Sequence, residues 1–252
     1  MSEDVKRVTW DIETSPNEAY LWRPGYGLSI GHHMIKKERE IMCICWKWEG
    51  SNKVHSDTWD DGSDKRMITE FMEVVKDADE LIAHNGDKFD MRWFQGRCLI
   101  HGLDSLPKSK TVDTCKIARK HFDLNSYRLD YLGKLLFNEG KIKTDFDLWV
   151  GAMDGDQKAL DKMVEYCCGD VRLTERLYKR IGPWHKPATH AGVHNNKGRW
   201  TCPHDGSEDV RKNKTRVSAA GIRTHQMLCG CGKYFSIAEN VFQQYKEAKG
   251  IK

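Results

Sequence analysis

The sequence predicts an α/β fold, a sheet flanked by helices, followed by a small C-terminal element of separate character. Three observations carry this. Short β-rich runs bounded by Gly or Asp occupy the first third of the chain, and segments with helical apolar spacing follow them. After Gly182-Pro183 the composition changes, and the remaining residues hold three clustered cysteines and a basic excess.

Residues 6–10 alternate into Asp11-Ile12-Glu13, and residues 41–48 (IMCICWKW) and 53–59 have the same strand character, so the three read as a meander. Residues 64–75 place Met67, Ile68, Phe71, Met72 and Val75 on one helical face. A short strand, residues 80–83, leads into HNGDKFD and a helix, MRWFQGRCLI. Further helices are expected over 112–121, 128–137 and 156–181, the last stopped by Gly182-Pro183. The expected organisation is a main domain over 1–182, a linker over 183–199 and a tail domain over 200–252.

The chain has 252 residues and a formal net charge of +4. Residues 183–252 hold 12 Lys and Arg against 5 Asp and Glu, so the whole basic excess lies in the tail. That suggests a tail that meets phosphate and a main domain whose carboxylates have another use. No apolar run approaches a membrane span, which excludes a transmembrane reading, and nine scattered cysteines fit a reducing compartment. A soluble, cytoplasmic protein without a membrane partner is expected. Cys43, Cys45, Cys98, Cys115, Cys167 and Cys168 read as core.

The side chains of i and i+2 share one face of a strand, so Asp11 and Glu13 project together while Ile12 points into the core. Two adjacent carboxylates repel each other unless a cation neutralises them. Asp90 falls near the start of the helix after HNGDKFD, with Asp87 the better candidate for its N-cap. In YCCGD, Tyr166 and Asp170 stand at i and i+4, on one face of the last long helix.

Each of these features alone is also what an ordinary solvated acid or helix cap would show. Together, in this order, they resemble the DEDDy branch of the DEDD 3′–5′ exonucleases, the superfamily of polymerase proofreading domains. DIET is similar to its first motif, NGDKFD to its second and the Tyr-x-x-x-Asp of YCCGD to its third. The stretch VDTCKIARKHFDLNSYRLDYLGKLL resembles the segment between motifs in stand-alone phage and polymerase-B-like members. The resemblance spans roughly residues 6–182 and implies a ribonuclease H-like fold, a mixed sheet of about five strands flanked by helices. It implies two Mg²⁺ or Mn²⁺ ions held by Asp11, Glu13, Asp90 and Asp170, with Tyr166 orienting the attacking water. It also brings Thr14 and Asn85 to the substrate terminus, although both residue types commonly bond backbone in turns.

In the tail, Cys202-Pro-His204-Asp205-Gly-Ser and Cys229-Gly-Cys231-Gly resemble a zinc ribbon, which implies one structural Zn²⁺. Asp205 stands where that family has its second cysteine, and the second knuckle is Cys-x-Cys. Cys202, Cys229 and Cys231 need a fourth partner; His204 is the expected one, with Asp205 and His225 as alternatives. A degenerate ribbon without metal is also open. The spacer VRKNKTRVSAAGIRTHQ is expected to form a basic hairpin that binds nucleic acid.

The function expected from the whole is removal of nucleoside monophosphates from the 3′ end of DNA, single-stranded by preference, with replication or repair proteins as further partners. A 3′–5′ exoribonuclease is the alternative, because no residue is identified that reads a 2′-hydroxyl. A non-catalytic zinc-ribbon protein is the second alternative, opposed by the intact carboxylate set.

Overall fold

The computed structural model describes residues 5–60, 63–105 and 110–251; the outer ends of the expected domains, at Met1 and Lys252, lie outside them. Two compact units are present, one of Lys6–Gly182 and one built mainly of Pro183–Lys252.

In the first unit, strand β1 (Arg7–Thr14) is followed by two short strands, β2 (Glu18–Ala19) and β3 (Ile35–Lys37), which pair with each other. Next come β4 (Ile41–Trp48), β5 (His55–Thr58), helix α1 (Lys65–Asp77), β6 (Glu80–Ala83), α2 (Asp90–Ile100), β7 (Lys110–Asp113) and α3 (Thr114–His121). Helices α4 (Leu129–Phe137), α5 (Phe146–Met153) and α6 (Gln157–Ile181) complete the unit. The five-stranded sheet runs in the order β5-β4-β1-β6-β7. β1, β4 and β5 form the expected antiparallel meander, whereas β6 and β7 run parallel to β1, so the sheet is mixed.

β1 lies at the centre of this sheet, and its alternation sorts two faces. Val8, Trp10 and Ile12 are buried with Met67, Phe71 and Phe94 of α1 and α2. Asp11 and Glu13 therefore point to the other face, where Cys43 and Cys45 of β4 pack with Met163, Cys167 and Val171 of α6. A third apolar group joins Ile82 and Val112 to Leu132, Leu173 and Leu177. The cysteines expected in the core are buried, with Cys168 half-buried.

Two polar clamps fix the helices. Asp64 is fully buried; it accepts from Arg97 Nε (2.6 Å) and Nη2 (2.8 Å) and from the Ile41 N–H (2.9 Å), and it meets His101 Nε2 at 2.6 Å. Burial opposes its ionisation, yet these donors hold its carboxyl below the ordinary value. Lys47 of β4 bonds Glu175 of α6 at 2.5 Å, both nearly buried, and sets α6 against the sheet one turn beyond Asp170.

Several boundaries differ from expectation. The helix expected from residue 112 begins at Thr114, because Lys110–Asp113 pairs with β6 as the fifth strand and Asp113 caps α3 by accepting from the Cys115 and Lys116 N–H groups. α5 and the β2–β3 pair lacked a recognised pattern. Asp87 does not cap α2; it pairs with Lys116, and Phe89 occupies the cap position without a side-chain bond.

The second unit contains α7 (Ala191–His194), β8 (Val210–Val217), β9 (Arg223–Cys229), β10 (Tyr234–Ala238) and α8 (Glu239–Lys249), with an antiparallel sheet ordered β10-β9-β8. Its core holds Trp200, Met227, Ile237, Phe242 and Tyr245. Residues 183–199, expected as a linker, carry α7 and belong to this unit. Ala191 is buried and its N–H bonds Pro203 O (3.0 Å), and Lys197 Nζ bonds Gly206 O (2.9 Å). Among the described residues no helix is long and apolar enough to cross a membrane.

Asp64→Ala should leave Arg97 buried without its main partner and cost about 3–5 kcal/mol, seen as a lower denaturation midpoint. A loss within experimental error would show that the clamp contributes nothing net.

Candidate functional site

The site is built where the centre of the sheet meets α6. Carboxylate oxygens of Asp11, Glu13 and Asp170 lie within 4.8 Å of one another. Asp11 and Glu13 share a face of β1, and Glu13 is the last residue before a bulge that shifts the register against β4. Asp170 is almost fully buried, one helical turn beyond half-buried Tyr166.

Asp90 comes from the opposite side of β1. Asn85 adopts a left-handed conformation (φ 65°), and its N–H is held by Asp113 Oδ1 at 2.9 Å. Gly86 follows because a Cβ there would come within 2.4 Å of Ala83 Cβ. This turn starts α2 so that Asp90 is buried and its Oδ1 accepts from the Ile12 N–H at 3.2 Å. The backbone between Asp11 and Glu13 thereby anchors the third acid. Thr14 is buried at the bulge after Glu13, and Asn85 sits in the turn before Asp90.

Lys141 enters the same place and was not expected. Asn138 closes α4 in a left-handed conformation (φ 55°), and Asp130 accepts the Lys141 N–H at 2.9 Å, which brings the chain back over α6. Lys141 Nζ ion-pairs with Asp170 and bonds the Tyr166 hydroxyl at 2.9 Å. Its sequence surroundings, Asn-Glu-Gly-Lys after a helix, signal a stop, but nothing local shows what the ammonium meets.

Burial and mutual repulsion set the protonation of the cluster. Burial first, then the charges of Asp90, Asp170 and Glu13, push Asp11 well above the ordinary carboxyl range. Burial likewise takes Glu13 to about 9 and Asp90 to about 7, and raises Asp170 against the pull of Lys141. The Tyr166 phenol is lifted to about 12, chiefly by burial. Four acids that resist ionisation together, offering only oxygen donors, fit hard divalent cations such as Mg²⁺ or Mn²⁺.

In the C-terminal unit, ligand atoms of Cys202, Asp205, Cys229 and Cys231 lie within 4.8 Å of one another. The fourth member is Asp205 rather than His204. Gly206 (φ 69°) closes a tight turn in which its N–H bonds Cys202 O (2.9 Å) and the Ser207 N–H bonds Asp205 Oδ1 (2.9 Å). That turn aims Asp205 at Cys229 Sγ, 3.7 Å away, while His204 lines a cleft with Arg199 and Tyr234. His225 is used elsewhere: it is buried, stacks on Phe242 at 3.8 Å and bonds Thr215 and Glu239. Three thiols and a carboxylate fit a closed tetrahedral Zn²⁺ site.

Residues 34–182 match the family model of the RNase_H superfamily, and the chain belongs to that superfamily. The matched segment contains Asp90, Tyr166 and Asp170 and begins after β1. The chain is also similar to a DNA polymerase of Thermococcus kodakarensis, 25% identical over 204 residues, covering 72% of this chain and 12% of that protein. A DNA polymerase of Thermococcus sp. (strain 9oN-7) is 26% identical, with 72% of this chain and 25% of that protein covered. Among solved structures, the family B DNA polymerase of Pyrobaculum calidifontis matches with a TM-score of 0.57 at 15% identity, over 77% of this chain and 26% of that chain. The chain thus spans 12% to 26% of the length of these relatives.

Raised carboxyl pKa values make metal-free stability fall with pH. The unfolded acids ionise near 3.8 to 4.5, whereas folded Asp90 and Glu13 hold their protons to about 7 and about 9. The folded state binds more protons across that window, so the sign is negative. The melting temperature in EDTA should decline from about pH 4.5 towards pH 9, and saturating Mn²⁺ at pH 8 should restore a few degrees. A melting temperature blind to both pH and metal would contradict the cluster's electrostatics.

Proposed function

We propose that the chain is a two-metal-ion 3′–5′ exonuclease that releases nucleoside monophosphates from DNA, single-stranded by preference. The observation that carries this is the convergence of Asp11, Glu13 and Asp170 within 4.8 Å, with Asp90 tied to the strand between the first two and Tyr166 beside them. The similarity to DNA polymerases supports it, and the direction of cleavage rests on the likeness of the three motifs to proofreading exonucleases.

Asp11, Glu13, Asp90 and Asp170 would hold two Mg²⁺ or Mn²⁺ ions. Such ions polarise the scissile phosphate and stabilise attacking and leaving oxygens in an in-line displacement. The chain's own groups do the rest. Tyr166 Oη, held by Lys141, offers an oriented hydroxyl to a water entering beside Glu13; its raised pKa makes it a positioner and not a base. Lys141 offers a fixed positive charge to a phosphate that approaches Asp170. Thr14 and Asn85 flank the acids and are proposed contacts for the terminal nucleotide.

In the tail we propose one structural Zn²⁺ on Cys202, Asp205, Cys229 and Cys231. β8 exposes Arg211, Lys212, Lys214 and Arg216, which form a surface able to neutralise phosphates without reading bases. Replication or repair proteins would be natural neighbours of such an enzyme.

The test of the catalytic assignment is end-labelled DNA and RNA strands with Mg²⁺, Mn²⁺ or EDTA. Asp11→Asn or Asp170→Asn should lower cleavage roughly a thousandfold while the fold persists; activity within a few-fold of the parent would remove these acids from the chemistry. Tyr166→Phe should cost about a hundredfold or less, since it misplaces a water without removing a charge. For the tail, Cys229→Ser should weaken affinity for a long strand and flatten its salt dependence, because the basic hairpin loses its metal anchor. Coincident binding curves for parent and variant would assign the tail another role.

A further inference from the structure

β1 and β4 are joined by an excursion of the chain, residues 15–40, that rises from the carboxylate end of β1. Its foot is closed two residues beyond Glu13: the Ser15 N–H bonds Glu40 O (2.9 Å), the Glu40 N–H bonds Ser15 Oγ (3.0 Å) and the Arg39 N–H bonds Asn17 Oδ1 (3.0 Å). The β2–β3 pair and the bond from the Tyr20 N–H to Met34 O (2.9 Å) hold the two legs together. Beyond them every residue from 20 to 30 is exposed.

What this tip exposes is unusual for a solvated loop. Trp22 and Tyr26 are as open to solvent as in an extended chain, at 100% and 108% relative exposure, and Tyr20 is at 68%. Trp10, of the same residue type, is 1% exposed in the core, so the chain does bury such rings where it has a use for them. Residues 19–37 contain no carboxylate; Arg23 lies among the aromatics and His32 and His33 follow them, while Lys36 and Lys37 pair with Glu18 and Glu40 towards the foot of the arm. Flat rings around Arg23, with the acids of the arm kept towards its foot, suit a single nucleic-acid strand: the rings stack on unpaired bases and the guanidinium meets the backbone. A tip built to dock a protein would gain nothing from keeping acids out of so long a stretch.

We infer that this arm is a base-stacking platform that holds the unpaired strand leading into the carboxylate site through Trp22 and Tyr26. The inference rests on the exonuclease reading and adds the residues that grip the unpaired strand upstream of its 3′ end. A base-paired end would keep its bases in the duplex and away from the rings.

The experiment uses the full chain with Trp22→Ala, Tyr26→Ala and both together. Binding of labelled oligothymidylate of about twenty nucleotides, and of an abasic strand of the same length, is measured by anisotropy in Ca²⁺ without Mg²⁺ or Mn²⁺. Each substitution should weaken oligothymidylate binding roughly tenfold. The parent should bind the abasic strand as weakly as the double variant binds either strand. Cleavage of a thymidylate dinucleotide with Mn²⁺, which reports on the carboxylate site alone, should be unchanged by the substitutions, while KM for the long strand rises. The inference is overturned if the double variant binds oligothymidylate like the parent. It is equally overturned if the parent binds the abasic strand as tightly as oligothymidylate, or if the substitutions change only self-association in sedimentation. Failure of the parent to cleave any strand would count against the exonuclease reading alone, because binding is read separately from cleavage.

Discussion

The structure of the main unit is organised around a repulsion. Asp11, Glu13, Asp90 and Asp170 bring four acids to the centre of a sheet, where burial raises the cost of each negative charge and each charge raises the cost of the next. Everything nearby serves to hold them there. Asp90 is pinned by the Ile12 N–H, and Asp170 is carried on a 25-residue helix locked to β4 by Lys47 and Glu175. Lys141 supplies a positive charge from a loop fixed by Asp130. Ionising such a concentration of buried acids together costs stability unless cations relieve the repulsion.

Much of this could be read from residue patterns, and the reasons are local. Asp11 and Glu13 are visible because strand alternation acts between neighbours, and Tyr166 and Asp170 because helical spacing does. The turn before Asp90 is visible because Asn-Gly permits a left-handed residue where few others do. The central strands and α6 announce themselves by length and period. β7 does not: Lys110–Asp113 is only four residues, and what makes it a strand is the parallel edge of β6, some 30 positions earlier.

The less legible residues depend on contacts distant in sequence. Lys141 is one of many lysines until α4 ends at Asn138 and the chain folds back over Asp170. His204 is the better zinc donor by residue type, yet the backbone turn gathers Asp205, and not His204, with the three thiols. Once Gly206 closes the turn on Cys202, the aspartate faces the thiols and the histidine does not. Residue preference sets which groups suit a metal; the direction of a turn sets which of them arrives.

The position of β1 also makes the main unit depend on contacts far apart in sequence. Asp11 and Cys167, whose thiol lies 3.6 Å from Asp11 Oδ2, are 156 positions apart, and Asp170 follows Cys167. Closing so long a separation is slow compared with forming local helices, and it waits for the last element of the unit. Without α6, Asp11 and Glu13 are a bare pair on an incomplete sheet. The four-acid cluster exists only after α6 has docked, so completion of the fold and completion of the site are one event.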